Sequence, residues 1–316
     1  MGDKSKIEWT DATWNPLTGC TKVSAGCRNC YAERMAQRFW AKQYSRTVGG
    51  QPRPFVDVRC HPEHLEQPLH WRKPRKVFVC SMSDLFHHSV DFEFTDRVWE
   101  VMRDCQRHTF QILTKRPKRM QKYIDELGWV AENVWLGVSV EDQKSADERI
   151  PLLLQTPAAV RFVSLEPLLS RVDLGEWLFE EDVNPDPDLG SKIRPALDWA
   201  IVGGESGPNA RPSHPDWFRG VRDQCQAEGV PFFFKQRGEW SWDKGGGGDA
   251  RPTHYLCQHG TFLPMNPHSK CCEGGCDVYA IARVGKKRAG RLLDGREWNE
   301  YPAQQANRRE RRGPRN

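Results

Sequence analysis

The sequence lacks any apolar run that approaches the roughly 18 residues needed to span a bilayer. Its first residues, MGDKSKIEWTD, are polar and contain no apolar core of the kind that marks a signal peptide. Hydrophobic residues make up only 38% of the 316-residue chain, although 13 Trp and 14 Phe supply bulky side chains for a core. These absences argue against a membrane protein and against a secreted one. We therefore expect a soluble, cytoplasmic protein.

A fourth cysteine is missing from the loop CTKVSAGCRNC, where Cys20, Cys27 and Cys30 form a C-x6-C-x2-C array. A reducing cytoplasm disfavours disulfides, so clustered cysteines there more often serve metal or redox chemistry. Three thiolates and one outside ligand complete a tetrahedral zinc site. Three thiolates also suit an iron–sulfur cluster in which one iron stays open to another ligand. The residues themselves leave both interpretations open.

Short apolar runs recur along the chain from residue 77 onwards, mostly with helix-like stretches between them. The runs span residues 77–81, 109–113, 134–140, 160–165, 199–204 and 230–234, and the helix-like stretches span 94–106, 119–127, 145–155 and 217–229. Near-continuous apolar strands are typical of a parallel sheet that is buried on both faces. The repeated strand–helix order therefore predicts an α/β fold, either a barrel or an open doubly wound sheet.

The domain organisation follows from shifts in composition. We expect an α/β domain over residues 1–240, with insertions near 41–75 and 180–196, and a Cys/His-rich C-terminal extension over 241–302. Residues 303–316 are predicted to form a basic, disordered tail. From residue 283 to the end there are 11 Lys and Arg against 4 Asp and Glu. This segment either contacts nucleic-acid phosphates or is simply a solvated tail.

Polar side chains follow each apolar run, at the point where each predicted strand ends. They are Asp84, Lys115, Arg116, Ser139, Glu141, Glu166, Glu205, Lys235 and Gln236. The carboxyl ends of parallel strands meet on one rim, where barrel enzymes keep their chemistry. The three cysteines follow the strand-like IEWTDATWNP and precede the helix-like YAERMAQRFW, which places them on the same rim. For each rim residue the alternative is a salt bridge to a neighbouring loop.

A second group of soft metal ligands lies near the C-terminus. The segments CQHG (257–260) and HSKCCEGGC (268–276) predict a further metal site, formed by Cys257, His259, Cys271 and Cys276. Zinc is favoured over iron–sulfur there because two histidines are nearby. The scattered Cys60, Cys80, Cys105 and Cys225 are expected to be core residues.

The three-cysteine loop after the first strand of a partial α/β barrel resembles the radical S-adenosylmethionine enzymes. The commonest spacing in that superfamily is C-x3-C-x2-C, so this chain matches the second interval and the aromatic Tyr31 but has a longer first interval. The resemblance implies a partial (β/α) barrel of mostly parallel strands, with Cys20, Cys27 and Cys30 holding a [4Fe-4S] cluster. The open iron would bind S-adenosylmethionine, whose reductive cleavage yields a 5′-deoxyadenosyl radical.

A closer resemblance covers almost the whole chain. Seven blocks are similar, in order, to a phage- and prophage-associated radical-SAM-like family that is described only as a phage protein of unknown function. They are IEWTDATWNPLTGCTKVSAGCRNCYAE, HTFQILTKRPKRM, NVWLGVSVEDQ, RFVSLEPLL, DWAIVGGESGPNARP, FFFKQRGEW and VGKKRAGRLLDGREWNEYP. The cytoplasm would then be that of the host. A more distant similarity to spore photoproduct lyase, which acts on thymine in DNA, implies a nucleic acid as the substrate.

These resemblances assign expected roles to the rim residues. Asp84 would bind the methionine amino group, Ser139 and Glu141 the ribose hydroxyls, and Lys115 or Arg116 the methionine carboxylate or a substrate phosphate. The backbone at Gly203 and Gly204 would approach the cofactor or substrate. The expected catalytic residues are Lys115, Glu166, Glu205 and Lys235.

The predicted function is that of a radical S-adenosylmethionine enzyme that modifies DNA, another nucleic acid or a modified nucleotide. A reductase or flavodoxin-type protein would supply electrons, and a phage-encoded protein is a further expected partner. The alternatives are a non-enzymatic, zinc-dependent module that binds nucleic acid or a partner protein, and a barrel that has lost its chemistry.

Overall fold

The centre of the fold is a seven-stranded, fully parallel sheet whose strands lie side by side in chain order. The structure, a computed structural model, describes residues 5–43, 53–182, 193–194, 196–242, 251–265 and 277–303. The strands are β1 (Ala12–Trp14), β2 (Lys76–Val79), β3 (Thr109–Thr114), β4 (Val134–Ser139), β5 (Val160–Leu165), β6 (Trp199–Gly203) and β7 (Phe232–Gln236). The sheet forms a half-barrel, so the prediction of an α/β fold with mostly parallel strands is confirmed at that level.

Amphipathic helices connect most of these strands. They are α1 (Tyr31–Gln43), α2 (Phe92–Asp104), α3 (Pro117–Leu127), α4 (Gln143–Gln155) and α5 (Pro215–Ala227). Pro occupies the first turn of α3 and α5, where a missing backbone N–H removes no helical hydrogen bond. An Asp142–Ser145 capping box begins α4. Of these helices, α3 and α4 begin just after a strand ends, so their N-termini lie near the carboxyl edge of the sheet.

The two faces of the sheet carry different cores. On the helix-covered face, aliphatic and aromatic residues such as Val79, Ile112, Leu136 and Val202 pack in one large cluster. The opposite face is filled mainly by aromatic residues, namely Trp9, Trp135, Phe162, Trp199 and Phe233. Trp199 is fully buried and packs against the edges of the Trp9 and Trp135 rings. The inner face of the half-barrel is therefore packed solid at its centre, which leaves ligand chemistry to the rim.

The C-terminal part adds a four-stranded antiparallel sheet. Its strands are β8 (Trp240–Ser241), β9 (His254–Cys257), β10 (Phe262–Pro264) and β11 (Val278–Arg283), in the order β8-β11-β9-β10. A short helix, α6 (Lys286–Ala289), follows. The chain then returns to the half-barrel, where Trp199 Nε1 donates to the Glu300 carbonyl at 2.8 Å and Phe234 N donates to that of Trp298 at 3.0 Å. Residues 291–302 therefore cover the free side of β7.

The predicted insertions contain short elements. In the first, Arg59–Cys60 pairs with Leu17–Thr18, followed by 3₁₀ turns at Pro62–His64 and Gln67–His70. In the second, Glu181–Asp182 pairs with Ile193–Arg194. Residues 243–250, 266–276 and the tail from 304 onwards lie outside the described residues. None of the described helices has both the length and the hydropathy of a bilayer-spanning segment.

Candidate metal and cofactor site

The three cysteines of the loop lie together at the carboxyl edge of the sheet, between β1 and α1. All three are half-buried, free thiols. Cys27 ends a 3₁₀ turn, and its sulfur accepts the Val23 N–H at 3.5 Å. Cys30 directly precedes α1. Burial raises the pKa of its thiol, and hydrogen bonds from the Glu33 and Ala32 backbone N–H groups offset part of that rise. Backbone N–H donors directed at sulfur favour the thiolate form that binds metal.

Gly19 sets the course of this loop. Its φ is +95°, and an added Cβ would lie 2.4 Å from the Asp57 carbonyl oxygen. Only glycine tolerates both the conformation and the close approach. The next residue, Cys20, donates its N–H to the Phe55 carbonyl at 2.9 Å. Glycine at this position therefore permits the tight turn that leads into the cysteine loop.

Arg116 connects the first cysteine to the end of β2. Its Nη1 lies 3.0 Å from Asp84 Oδ2 and 3.7 Å from the Cys20 sulfur, and its Nη2 donates to the Thr21 carbonyl at 3.0 Å. Burial and the Asp84 carboxylate raise the pKa of Cys20 to about 11, against the lowering effect of Arg116. The apo thiol is therefore protonated at neutral pH, and metal binding would release its proton.

His87 supports the cysteine loop through a hydrogen bond to Thr21. Its Nδ1 accepts the Ser89 N–H at 3.1 Å, so its Nε2 carries the hydrogen that reaches Thr21 Oγ1 at 2.8 Å. Burial and the nearby Arg116 lower the pKa of His87 to about 4. The imidazole is therefore neutral at neutral pH and acts as a fixed hydrogen-bond donor.

Glu141 anchors the middle of the cysteine loop. Arg149 Nη1 lies 3.0 Å from Glu141 Oε2, and both side chains are almost fully buried. The Gly26 N–H donates to Glu141 Oε1 at 3.4 Å. Arg149 also donates to the Ser139 carbonyl at 2.7 Å, which fixes the end of β4. The contacts of Glu141 within the protein position the loop, while the ribose contacts expected of Ser139 and Glu141 stay predictions.

Glu205 anchors the segment between Cys27 and Cys30. It accepts hydrogen bonds from Asn29 Nδ2 at 3.0 Å and from the Arg211 backbone N–H at 2.8 Å. Arg211 Nη2 pairs with its other oxygen at 2.5 Å and also donates to the Ala25 carbonyl at 3.0 Å. The carboxylate is 5% exposed. Its contacts make Glu205 a support for the cysteine loop.

Glu166 and Lys235 form an ion pair across β6. Lys235 Nζ lies 2.8 Å from both Glu166 oxygens, and Gln236 Nε2 donates to one of them at 3.2 Å. The two side chains are 21% and 15% exposed, so solvent reaches both. Gly203 lies beneath the pair, where an added Cβ would sit 3.4 Å from Glu166 Cδ. Two predicted catalytic residues are thus direct partners.

Gly204 makes room for protein backbone. A Cβ there would lie 2.1 Å from the Arg237 carbonyl oxygen, and Gly204 N donates to the Gln236 carbonyl at 2.9 Å. The close approach predicted at GGESG is therefore made by the end of β7. An approach to a cofactor at Gly203 and Gly204 stays a prediction.

Lys115 differs from the other charged rim residues because its Nζ has no hydrogen-bonding or ion-pairing partner among the described side chains. It is half-buried and lies near Cys30, where burial raises the pKa of the thiol and the positive charge of Lys115 offsets part of that rise. Lys115 also lines a cleft of about 810 Å³ between the cysteine loop and the N-terminal turns of α3 and α4. The other basic lining residues are Arg116, Lys118, Arg119, Lys144 and Arg149, and Glu141, Asp142 and Glu148 also line the cleft. Basic residues therefore outnumber acidic ones in its lining.

The spacing of the three sulfurs tests which metal group the loop fits. In the described part of the chain, these thiols do not form a set whose sulfurs all lie within 4.8 Å of one another. Thiolates on a single tetrahedral zinc lie about 3.8 Å apart, given Zn–S bonds of about 2.3 Å. A cluster separates its thiolates further because each binds a different iron. A single zinc would therefore require the three sulfurs to move closer together, and which metal group the loop holds stays a prediction.

The second predicted metal site is only partly covered by the described residues. Cys257 is buried at the end of β9, and His259 follows in the turn. Cys271 and Cys276 lie outside the described residues, so this site stays a prediction. Of the four scattered cysteines, Cys80, Cys105 and Cys225 are buried as expected. The expectation for Cys60 was wrong, because its two-residue strand lies on the exposed surface.

Sequence reasoning missed several residues that position the site. They are Thr21, Asn29, His87, Arg149 and Arg211. Asn29 stands between two of the motif cysteines and His87 stands three residues after Asp84, so proximity to predicted residues was an available signal for both. Arg149 and Arg211 carried no such signal, because they reach the rim from a helix and a distant loop.

These features define an α/β half-barrel protein with a three-cysteine loop and a basic cleft at the carboxyl edge of its sheet. The chain belongs to the family described as "Protein of unknown function (DUF5131)", whose model matches residues 4–302. Searches of curated proteins and of solved structures find no match.

Proposed function

We propose that this protein is a radical S-adenosylmethionine enzyme with a half-barrel of the radical SAM type, acting on a nucleic acid or a modified nucleotide. One observation carries the proposal. Three free, half-buried thiols stand at the carboxyl edge of a parallel half-barrel, with N–H donors on their sulfurs. Beside them lies Lys115, whose Nζ has no partner among the described side chains. Parallel-barrel enzymes keep their chemistry at this edge.

Cys20, Cys27 and Cys30 would hold a [4Fe-4S] cluster, which when bound supplies the electron that cleaves S-adenosylmethionine. A cytoplasmic flavodoxin-type donor or reductase would in turn reduce the site. Arg116 balances negative charge at Cys20, from 3.7 Å. Glu141 and Glu205 hold the loop in shape through Gly26 and Asn29. In this proposal the two carboxylates are positioning residues.

Lys115 would bind the anionic group of the ligand. A half-buried ammonium with no described side-chain partner gains most from a carboxylate or phosphate. The basic cleft extends from Lys115 along α3 and α4, which suits a chain of phosphates. Asp84 is held by Arg116 and by Thr114 Oγ1 at 2.8 Å, and each of its oxygens accepts two hydrogen bonds within the protein. Its expected contact with the methionine amino group stays a prediction.

Lys235 would hold a proton at Nζ for the substrate. Glu166 fixes the position of this amine through a 2.8 Å ion pair. Because both groups reach solvent, a substrate on the rim could contact them.

The Cys/His-rich extension, with Cys257 and His259, would hold the second metal.

Anaerobic reconstitution with iron and sulfide tests the proposal. We expect broad visible absorption and about four irons per chain in the wild type, both lost in Cys27→Ala, as for a thiolate-bound cluster. Cys105→Ala is the matched control, because this buried thiol lies away from the loop. S-adenosylmethionine and a reductant should then give 5′-deoxyadenosine, with less formed by Lys115→Gln.

A colourless protein that binds zinc but no iron through the three cysteines would overturn the proposal. It would favour the non-enzymatic, zinc-dependent binding module instead. A cluster without 5′-deoxyadenosine formation would favour a barrel that serves only as a partner protein.

A further inference from the structure

We propose a further metal site, separate from the cysteine loop and from the Cys/His-rich extension. It would hold a single divalent ion such as zinc and is formed by His61, Glu63 and His64 on the edge of the fold next to β1. His61 Nδ1 lies 3.0 Å from Glu63 Oε1, and His64 Nε2 lies 4.0 Å from the same oxygen. The ligand atoms of all three residues lie within 4.8 Å of one another. Ligands on a tetrahedral zinc with bonds of about 2.1 Å lie roughly 3.4 Å apart. The observed separations bracket that value.

The remaining nitrogen of each imidazole has a fixed partner. His64 Nδ1 lies 3.2 Å from the Asn15 carbonyl, to which it can only donate, so Nε2 keeps its lone pair in the neutral ring. His61 Nε2 lies 2.7 Å from Thr18 Oγ1. In the metal-free protein His61 Nδ1 donates to Glu63 Oε1 at 3.0 Å, and His61 Nε2 accepts from the Thr18 hydroxyl. An ion would displace the Nδ1 proton, and Nε2 would then donate to Thr18. Imidazoles that bind metal almost always use their second nitrogen in this way.

The backbone that carries these ligands is held rigidly. His61 N donates to the Pro16 carbonyl at 2.8 Å, and Trp14 Nε1 donates to the His64 carbonyl at 2.7 Å. The His61 and His64 rings stack with centroids 4.9 Å apart. The two imidazoles are therefore preorganised on a 3₁₀ turn, while the exposed Glu63 can move onto an ion.

The set of two imidazoles and one carboxylate suits zinc and similar borderline ions better than calcium or magnesium, which prefer oxygen ligands. A fourth tetrahedral position remains for water or an outside ligand. The ion would tie the 61–64 turn to Thr18, two residues before Cys20. This inference does not depend on the proposed function, since none of its ligands belongs to the cysteine loop.

Cobalt(II) binding tests the site in full-length protein whose cluster has first been reconstituted. We expect one cobalt per chain at this site, with weak visible bands and no thiolate-to-cobalt charge transfer, since none of its ligands is sulfur. Cobalt held by the Cys/His-rich extension would instead give thiolate bands that Glu63→Gln and His64→Gln leave unchanged. Glu63→Gln and His64→Gln should each weaken binding at least tenfold. Glu66→Gln, three residues away and equally exposed, is the matched control and should bind like the wild type.

Two results would overturn the inference. One is cobalt absorption that consists only of thiolate-coordinated species. The other is unchanged affinity in both Glu63→Gln and His64→Gln. Thermal unfolding of the metal-free variants shows whether each variant is folded. If His64→Gln fails to fold, Glu63→Gln still tests the site, because the Glu63 side chain is 64% exposed.

Discussion

At the scale of single residues, the rim is built from four ion pairs that surround the cysteine loop. They are Asp84–Arg116, Glu141–Arg149, Glu166–Lys235 and Glu205–Arg211, with closest separations of 2.5 to 3.0 Å. Buried pairs of this kind contribute little net stability, but the loss of one partner strands a buried charge. The pairs of Asp84, Glu141 and Glu205 contact the loop and fix its shape, whereas Glu166–Lys235 lies across β6.

Glu205 provides the sharpest test of that role. Glu205→Gln replaces an acceptor of several N–H groups with an amide that turns its own N–H₂ towards donors. We expect the free energy of unfolding to fall by about 1–3 kcal/mol, since buried donors lose their acceptor. A chelator should also remove iron faster from the reconstituted variant, because Asn29 loses its hydrogen bond to Glu205. Urea unfolding and chelator kinetics measure the two effects.

Glu228→Gln is the matched control for this prediction. Glu228 is exposed at the end of α5, so its substitution should change stability by no more than about 0.5 kcal/mol. Equal behaviour of the two variants would show that Glu205 does not hold the loop.

His87 makes stability depend on pH. Its pKa is about 4 in the folded protein against 6.5 for an ordinary histidine, because of burial and the nearby positive charge of Arg116. Above pH 6.5 the ring is neutral in both states. Between pH 6.5 and 4 the unfolded chain takes up a proton that the folded one does not, so stability is lost as the pH falls. Across this pH range, the urea concentration at the midpoint of unfolding should fall less steeply with decreasing pH in His87→Gln than in the wild type.

His88→Gln is the control for the pH experiment, because His88 is the exposed neighbour of His87. Its profile should follow the wild type. Burial also lowers the pKa of His61, His108 and His214, so part of the slope should remain in His87→Gln. Profiles of wild type and His87→Gln that coincide would rule out a buried, neutral His87.

At the scale of elements, Gly204 and Gly220 make a matched pair of glycines. Gly204→Ala would place a Cβ 2.1 Å from the Arg237 carbonyl oxygen and force β6 and β7 apart at the rim, which should cost more than about 2 kcal/mol. Gly220 lies inside α5 with nothing within 4 Å of an added Cβ. Gly220→Ala should therefore stabilise the protein by about 0.5–1 kcal/mol. Thermal unfolding of both variants checks the contrast, and equal effects would contradict the close approach at Gly204.

Elements with a strong local pattern were predictable from the sequence. The apolar run at 160–165 is β5 as predicted, and the four predicted helices begin two residues earlier than their apolar pattern suggests. The early starts come from Pro117 and Pro215, which open helices, and from the polar cap of α4. The rim position of the cysteines also followed from strand order alone.

Non-local contacts were not predictable in the same way. The sequence pattern offered no reason for Trp199 Nε1 to meet the Glu300 carbonyl, 101 residues away, or for residues 291–302 to line β7. The partner of each rim carboxylate could not be predicted either, because Arg149 and Arg211 look like ordinary surface residues in the sequence. Such partners depend on how the whole sheet curves.

At the scale of the whole molecule, the net charge of +5 is small, so any attraction to nucleic acid must come from where the basic residues lie. The cleft concentrates them beside the cysteine loop. Lys118 and Lys144 line it as exposed side chains at the first turns of α3 and α4. Binding of a single-stranded oligonucleotide should therefore weaken steeply as salt rises.

The double variant Lys118→Gln/Lys144→Gln tests this attraction. Each lost phosphate contact should reduce the slope of log affinity against log salt by about 0.7 for a single strand, and the affinity should fall at low salt for all sequences alike. Lys122→Gln is the control, because Lys122 lies on the same helix α3, is 66% exposed and pairs with Glu126 outside the cleft. Fluorescence anisotropy over a salt series measures the slopes. Equal slopes for the double variant and the wild type would place the nucleic acid elsewhere, and loss of binding on deletion of residues 304–316 would then assign it to the basic tail.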